Sequence, residues 1–429
     1  MIRVIYNLLW PLGLLFFLPG YLMKMFRRGG YREKFGQRLG IYGIDVRARL
    51  PRQRSTWLHA VSVGEVAVAL KLASALRALE PDLHCVLTTT TTTGFALANR
   101  NAPFWIEVMY APLDFWPIMR RAFAVIRPAR ILLIEAEIWP NLVAEAHARR
   151  ISIALVNARL SPRSEKRFRL FRFLVAPTFR LLDLVCVQES ADVDRWQQLG
   201  VERTRIRHTG SIKYDPVSRD DGEHTQKTGV FELNSSNQDQ LVLFGGSTHP
   251  GEEEILAKVF LKLRQDFPSL RLFIAPRHVE RVREIRAQLE ALSLQVRFAG
   301  EARNHRDAKP DCVLLDTTGE LQCWYGIATV VFMGKSLTAH GGQNPVEPIA
   351  AGKPVIFGPH MENFGALAQT LVAKNGAIQV LDVEELECAA KKLLRDNEVR
   401  RLLVQSAEGV LKQHRGATAH TAQLIVALS

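Results

Sequence analysis

Short apolar runs followed by amphipathic stretches recur from Thr56 almost to the end of the chain. Trp57–Val61, Cys85–Thr88, Ile131–Ile134, Ile153–Val156 and Leu184–Val187 are largely apolar, the pattern of parallel strands buried on both faces. Between them lie helical stretches such as Val66 to Leu79, with Val66, Leu70, Ala73 and Leu76 on one face. The rhythm stops at Asp215 to Gln240, a polar stretch poor in aliphatic residues, and then resumes with Leu241–Phe244, Leu270–Ile274, Val313–Leu315, Val330–Phe332 and Pro354–Phe357. This alternation predicts an α/β protein of two doubly wound, Rossmann-like domains facing a cleft, with ligands at the C-terminal ends of the strands. The expected division is a membrane anchor over 1–30, an N-terminal domain over 31–214, a linker over 215–240 and a C-terminal domain over 241–429. The last helix is free to pack back on the N-terminal domain.

Charge changes the picture in two places. Arg27 to Arg54 hold nine Lys or Arg against two acids, and Arg159 to Arg180 hold seven against one. Together these excesses equal the whole formal charge of +13, so the rest of the chain is balanced. Two local basic patches imply an acidic partner, a membrane surface or a phosphorylated ligand, although a solvated helix face gives the same composition. Nucleic acid is not expected: the patches lack interleaved aromatics, and no zinc finger or basic zipper accompanies them. Val4 to Met23 is a run of 20 uncharged residues followed by Lys24, Arg27 and Arg28, which predicts an uncleaved anchor with the rest of the chain on the cytoplasmic side of the membrane. Pro11, Gly13, Pro19 and Gly20 interrupt the run, so a shallow interfacial segment fits it as well. The five scattered cysteines form no CxxC pair and read as reduced thiols.

Candidate chemistry sits at the predicted strand exits. Glu65, in Ser62-Val63-Gly64-Glu65, is placed where a general base belongs, and equally where a first-turn glutamate caps a helix. Thr88 to Gly94 forms a hydroxyl-rich junction suited to an anion or a sugar hydroxyl, or merely to N-capping. Glu135 and Glu137 follow Ile131–Ile134 beside Trp139 and Pro140; no His or third carboxylate lies nearby in sequence, so a role in shaping the cleft is preferred to metal ligation. Arg159 and Arg163 precede the second basic patch and suit bidentate contact with phosphate. Lys213, in Gly210–Asp215, sits at the hinge and could reach a phosphate or carboxylate.

In the second series, Gly245 to Gly251 opens a helix with Glu252 to Glu254, whose acidic first turn would repel a phosphate. Pro276 and Arg277, then Thr318, Gly319 and Glu320, then Asn344, Pro345, Val346 and Glu347 mark three further exits expected to converge on one nucleotide. Pro345 is expected as the first residue of a helix whose N-terminus holds a phosphate, with Glu347 accepting from a ribose diol. Gly334-Lys335-Ser336 lacks the first glycine of a P-loop, and no GxGxxG, HExxH or GxSxG is present. Metal-free catalysis is the default expectation.

Together His59–Val66, the threonine turn, Ile134–Asn141, Asn157–Ser164, Gly210–Asp215, Ala275–His278, Thr317–Leu321 and Gly341–Pro348 resemble the Kdo transferases, which add 3-deoxy-D-manno-octulosonic acid to a lipid A precursor. The resemblance implies a GT-B fold, CMP-Kdo as donor, and a bisphosphorylated, tetra-acylated lipid A precursor (lipid IVA) as acceptor. It implies inverting transfer with Glu65 as base and no metal or other cofactor. CMP contacts would come from Pro276, Arg277, Thr318 to Glu320 and Asn344 to Glu347, with Lys213 beside the leaving phosphate. Thr318 stands where many relatives are expected to carry Met. Acceptor contacts are assigned to Ser62, Thr93, Glu135, Glu137, Arg159 and Arg163. The rival readings are a uridine-preferring enzyme of the same fold and a nucleotide sensor without turnover.

Overall fold

A computed structural model of the chain describes residues 3–4, 6–10, 13, 34–50, 54–160, 162–215, 240–304, 310–317 and 321–428. Most of the expected anchor, nearly all of the linker and Thr318 to Glu320 lie outside the described residues, as does the side chain of Arg163. Among the described residues no helix is long and apolar enough to cross a membrane. The chain divides into two compact units, Met1–Asp215 with His414–Ser429, and Pro216–Gln413.

The first unit is built on seven parallel strands: β1 (Ser55–His59), β2 (Cys85–Thr89), β3 (Ile106–Tyr110), β4 (Pro128–Ile134), β5 (Ser152–Ala158), β6 (Leu184–Val187) and β7 (Ile206–His208). Their order is β3-β2-β1-β4-β5-β6-β7, so the winding reverses between β1 and β4. Successive residues of one strand point to opposite faces, and each face is covered. Trp57 and Ile131 enter the core with Phe123 and Trp196, whereas Leu58 and Leu132 enter the other with Leu72 and Leu76. Each of these eight side chains is buried.

The second unit holds β8 (Val242–Thr248), β9 (Arg271–Pro276), β10 (Val296–Phe298), β11 (Cys312–Leu314), β12 (Val330–Met333), β13 (Val355–Phe357) and β14 (Ile378–Gln379). Their order is β10-β11-β9-β8-β12-β13-β14, with the reversal between β8 and β12. β8 runs through Gly245 and Gly246 to Thr248, further than its apolar run suggests. A Cβ on Gly245 would come within 2.6 Å of Leu256 and one on Gly246 within 2.6 Å of the Tyr325 hydroxyl, so only glycine lets the neighbouring side chains close over the strand.

The end of the chain crosses back. The helix Ala417–Val426 packs against the helix Val63–Leu79, and Ala422 and Ile425 fill the core with Leu72. Asp215 holds this return: its two oxygens accept the Gly416 and Thr418 N–H groups, each at 2.8 Å. Lys71 donates to the Asp215 carbonyl at 2.5 Å, and the Ser211 N–H donates to Nδ1 of the buried His414 at 3.2 Å. Burial, with His208 nearby, lowers the His414 pKa to about 4, which keeps the ring neutral and Nδ1 able to accept. Replacing Asp215 by Ala leaves two N–H groups without their carboxylate and is expected to cost about 1–3 kcal/mol, read as a lower urea midpoint with faster amide exchange in 414–428. An unchanged midpoint would show that the return helix is held by packing alone.

Candidate functional site

The exits of β1 and β4 flank the reversal point of the first sheet, the place where ligands of doubly wound sheets bind. Glu65 stands in the first turn of the helix Val63–Leu79 and is buried. Its Oε1 accepts the Ser62 hydroxyl at 2.8 Å and its Oε2 the Val61 N–H at 2.9 Å, while its own N–H donates to Ser62 Oγ at 3.3 Å. This is a variant of the capping box in which the carboxylate reaches the N–H one residue before the Ser62 cap, so the capping role is realised and Ser62 is committed to it. The threonine run also serves this turn: Thr91 and Thr89 both donate to the Val61 carbonyl, at 2.9 and 3.3 Å. Thr93 is exposed at the start of the next helix, Thr92–Asn101.

Glu135 follows β4 directly in a left-handed conformation, φ 59°, which turns the chain sharply out of the sheet. Its carboxyl is raised by burial and then by the Glu65 charge, against Lys213 and Arg159, which pull it down. Burial and Glu65 push Glu137 up to about 7, although the Trp139 indole donates to it at 3.0 Å. Burial lowers the Lys213 pKa, and Glu135 opposes that shift. Three carboxylates, one amine and the exposed Arg159 therefore share one electrostatic neighbourhood, although 148 positions separate Glu65 from Lys213. Among the described residues these carboxylates do not form a three-ligand metal group.

Asn157 supplies a link that sequence reasoning missed. Buried at the end of β5 with φ 55°, it accepts the Ile212 N–H at 3.0 Å and the Ser211 hydroxyl at 3.3 Å, which ties the Asn157–Ser164 segment to Gly210–Asp215. Asn141 is structural too. Its N–H and that of Leu142 donate to Asp114, and its side chain meets Asn7 and Arg3 near the N-terminus.

In the second unit the acidic turn after β8 faces inward. Glu252, fully buried, accepts the His249, Lys335, Ser336 and Leu337 N–H groups at 2.8, 2.7, 3.0 and 3.1 Å. It staples the β8 exit to the β12 exit. Glu253 accepts from Thr248 and Arg281, both at 3.0 Å. Two of the three acids of this turn are therefore committed to backbone, hydroxyl and arginine donors, while Glu254 is exposed. Burial lowers His249 to about 4, and Lys335, His278, Arg281 and Arg277 add to the shift, so five potential cations gather at the reversal point. His249, Arg281 and Lys335 were not among the sequence candidates, because their meeting depends on the β8–β12 pairing.

Pro276 ends β9, and Arg277 follows it exposed. Arg277 acts electrostatically on the half-buried Glu347, whose pKa is raised first by desolvation. The helix at Val346–Ala350 has only five residues, and Pro345 precedes it rather than beginning it. Asn344 Oδ1 accepts the Val346 N–H at 3.1 Å, and its amide donates to Glu347 at 3.2 Å, so Asn344 caps this short helix. A macrodipole of one turn adds little, and the nearby side-chain cations are the stronger anion-binding feature. A hollow of about 560 Å³ beside Thr329, Lys353 and Arg400 lies at the opposite, N-terminal edge of the sheet and includes none of the candidates.

The folded pKa of Glu137 exceeds its unfolded value, so the folded state binds the extra proton and stability falls as pH rises from about 4.3 towards the folded value. Glu137→Gln removes this penalty. Its melting temperature is expected to improve relative to the parent between pH about 5 and about 8, checked by thermal melts across that range. A difference that does not vary with pH would contradict the shift.

Comparison with known proteins supplies the rest. A family described as 3-Deoxy-D-manno-octulosonic-acid transferase (kdotransferase) matches residues 33–216. A 3-deoxy-D-manno-octulosonic acid transferase of Haemophilus influenzae is 33% identical over 389 residues, 90% of this chain and 89% of that protein. One from Bordetella pertussis is 33% identical over 404 residues, 92% of each. Among solved structures, a UDP-GlcNAc 2-epimerase from Neisseria meningitidis bound to UDP-GlcNAc superposes with a TM-score of 0.54 at 12% identity, over 87% of this chain and 99% of that one. The two seven-stranded parallel sheets and this likeness give the GT-B fold. With a third of its residues shared across nine-tenths of its length, the chain belongs to the 3-deoxy-D-manno-octulosonic acid transferase family of glycosyltransferases.

Proposed function

We propose that this glycosyltransferase moves Kdo from CMP-Kdo to a tetra-acylated, bisphosphorylated lipid A precursor at the cytoplasmic face of the inner membrane, with inversion and without a metal in the transfer step. The observation that carries the chemical part is the position of Glu65, buried at the β1 exit beside Glu135 and Glu137. Each Glu65 oxygen accepts one protein donor in the capping box and keeps a lone pair for an acceptor hydroxyl. The box therefore holds a base in place rather than replacing it. Glu135 and Glu137 share its electrostatic neighbourhood and add two acids to the wall of the same exit.

Family membership supports the donor, and the cations of the second unit suit it. CMP-Kdo carries a phosphate and a carboxylate, and the leaving phosphate would meet Arg277, Lys335, Arg281 and His249. Pro276, Val346 and Glu347 would contact the nucleoside, and Thr318 to Glu320 belong to the same proposal. Lys213 lies beside Glu135 and Arg159 in the first unit, where it suits an anionic group of donor or acceptor. Arg159, Arg163 and the basic residues after them would face acceptor phosphates and anionic headgroups, with Thr93 contributing a hydroxyl. The uncharged run Val4–Met23 is the proposed membrane attachment.

Transfer of labelled Kdo from CMP-Kdo, generated in situ, to lipid IVA tests the whole reading, and the product mass counts the sugars added. Glu65→Gln is expected to slow transfer by about a hundred- to ten-thousand-fold. It should keep its melting temperature, because Gln still completes a capping box; near-normal turnover would remove Glu65 from the base role. CMP is expected to raise the melting temperature more than UDP does, and Arg277→Ala to reduce that gain. A larger response to UDP would favour a uridine-nucleotide enzyme of the same fold.

A further inference from the structure

The segment between β12 and the helix Val346–Ala350 meets the segment after β13 at three side chains that no step above uses. His340 and His360 each offer one ring nitrogen and Glu362 one carboxylate oxygen, and these three atoms lie within 4.8 Å of one another. His340 Nδ1 is 3.0 Å and His360 Nδ1 3.5 Å from the same atom, Glu362 Oε1. Ligands about 2.0–2.1 Å from a tetrahedral ion lie about 3.3 Å apart, so these spacings already match such a shell. The imidazole ring centroids lie 3.9 Å apart with the planes tilted by 51°, and both Nδ1 atoms face the same carboxylate oxygen.

The carboxylate is also held from behind. Glu362 Oε2 accepts the Gly341 N–H at 2.6 Å, and the Asn363 N–H donates to the Gly341 carbonyl at 2.8 Å. Outer hydrogen bonds of this kind orient metal ligands. Gly341 and Gly342, with φ 121° and 67°, provide the left-handed backbone that the turn requires. A Cβ on Gly342 would also strike Met361 at 2.4 Å, so the two segments are in close contact. The His340 and Glu362 side chains are more than half exposed, at 78% and 55%, which gives an ion a route in and leaves a fourth position for water.

We propose that His340, His360 and Glu362 bind a divalent transition-metal ion, with Zn²⁺ the best match, which clamps residues 340–344 to the segment after β13. Two imidazoles and one carboxylate suit zinc or its transition-metal neighbours, whereas Ca²⁺ and Mg²⁺ prefer shells made of oxygen. Nδ1 ligation leaves each ring proton on Nε2. The ion is a brace rather than a reactant: it stiffens the approach to Asn344 and Glu347 and takes no part in sugar transfer. Two Nδ1–H donors sharing one carboxylate oxygen would give the same distances without a metal, and the experiment separates the two arrangements.

The tag-free full chain, stripped with chelator, would be titrated with Zn²⁺ by calorimetry and with Co²⁺ by visible absorption, in the absence of nucleotide. One saturable site with the intense absorption of four-coordinate cobalt is expected. His340→Ala, His360→Ala and Glu362→Gln should each weaken binding by at least about tenfold. Exposed His420, replaced by Ala, serves as a control and should not change it. Absence of saturable binding, a six-coordinate cobalt spectrum, or affinity unchanged in both histidine variants would overturn the proposal. Because no sugar substrate is present, failure here leaves the Kdo-transfer reading untouched, and failure of Kdo transfer leaves this site standing.

Discussion

A carboxylate taken out of water must find donors, and in this chain the donors are mostly backbone N–H groups at the strand exits. Glu65 accepts from Val61, Asp114 from Asn141 and Leu142, Asp215 from Gly416 and Thr418, and Glu252 from four residues on two segments. Hydrogen bonds to charged groups contribute about 1.5–3 kcal/mol each, more than neutral ones. Their larger effect is geometric. Each acid fixes a loop that has no regular secondary structure to hold it, and each of these loops carries or abuts candidate residues. Glu252 joins the β8 and β12 exits together with the Thr338 hydroxyl, which donates to the Pro250 carbonyl at 3.1 Å.

The two units use buried charge in opposite senses. In the first, burial and the Glu65 charge raise Glu135 and Glu137, and Glu137 reaches about 7. Burial and like charge both oppose ionisation there, which keeps a proton acceptor near neutrality. In the second unit, His249 is held neutral among Lys335, His278, Arg281 and Arg277, a setting that favours an arriving anion. Such an environment costs stability in the empty protein and returns it when a ligand of opposite charge binds.

Much of the fold was legible in the residues. The apolar runs at 131–134, 153–156 and 184–187 all became strands, because a strand buried on both faces has little choice of composition. β3 (Ile106–Tyr110) went unread, since its Glu107 interrupts the apolar run, and β7, β10 and β14 are short and carry polar residues (Arg207, His208, Arg297, Gln379), whereas the equally short β11 and β13 are apolar throughout. Glu65, Glu135 and Glu137 were legible as acids following strands. Their coupling was not, because it requires β1 and β4 to be neighbours.

By itself the sequence determined the element types, the two α/β series with their polar interruption, and the family, since ordered motifs survive in the linear chain. The tertiary structure decided the pairings. It turned Glu252 and Glu253 inward, committed Ser62 and Asn344 to capping, and brought Lys213 to Glu135 and His249 to Lys335. It also returned residues 414–429 to the first unit through Asp215. The reason is physical: strand and helix periods are local and can be read within a few residues. Which loops share a sheet edge depends instead on the winding order of the strands, fourteen among the described residues, and no local pattern encodes that order.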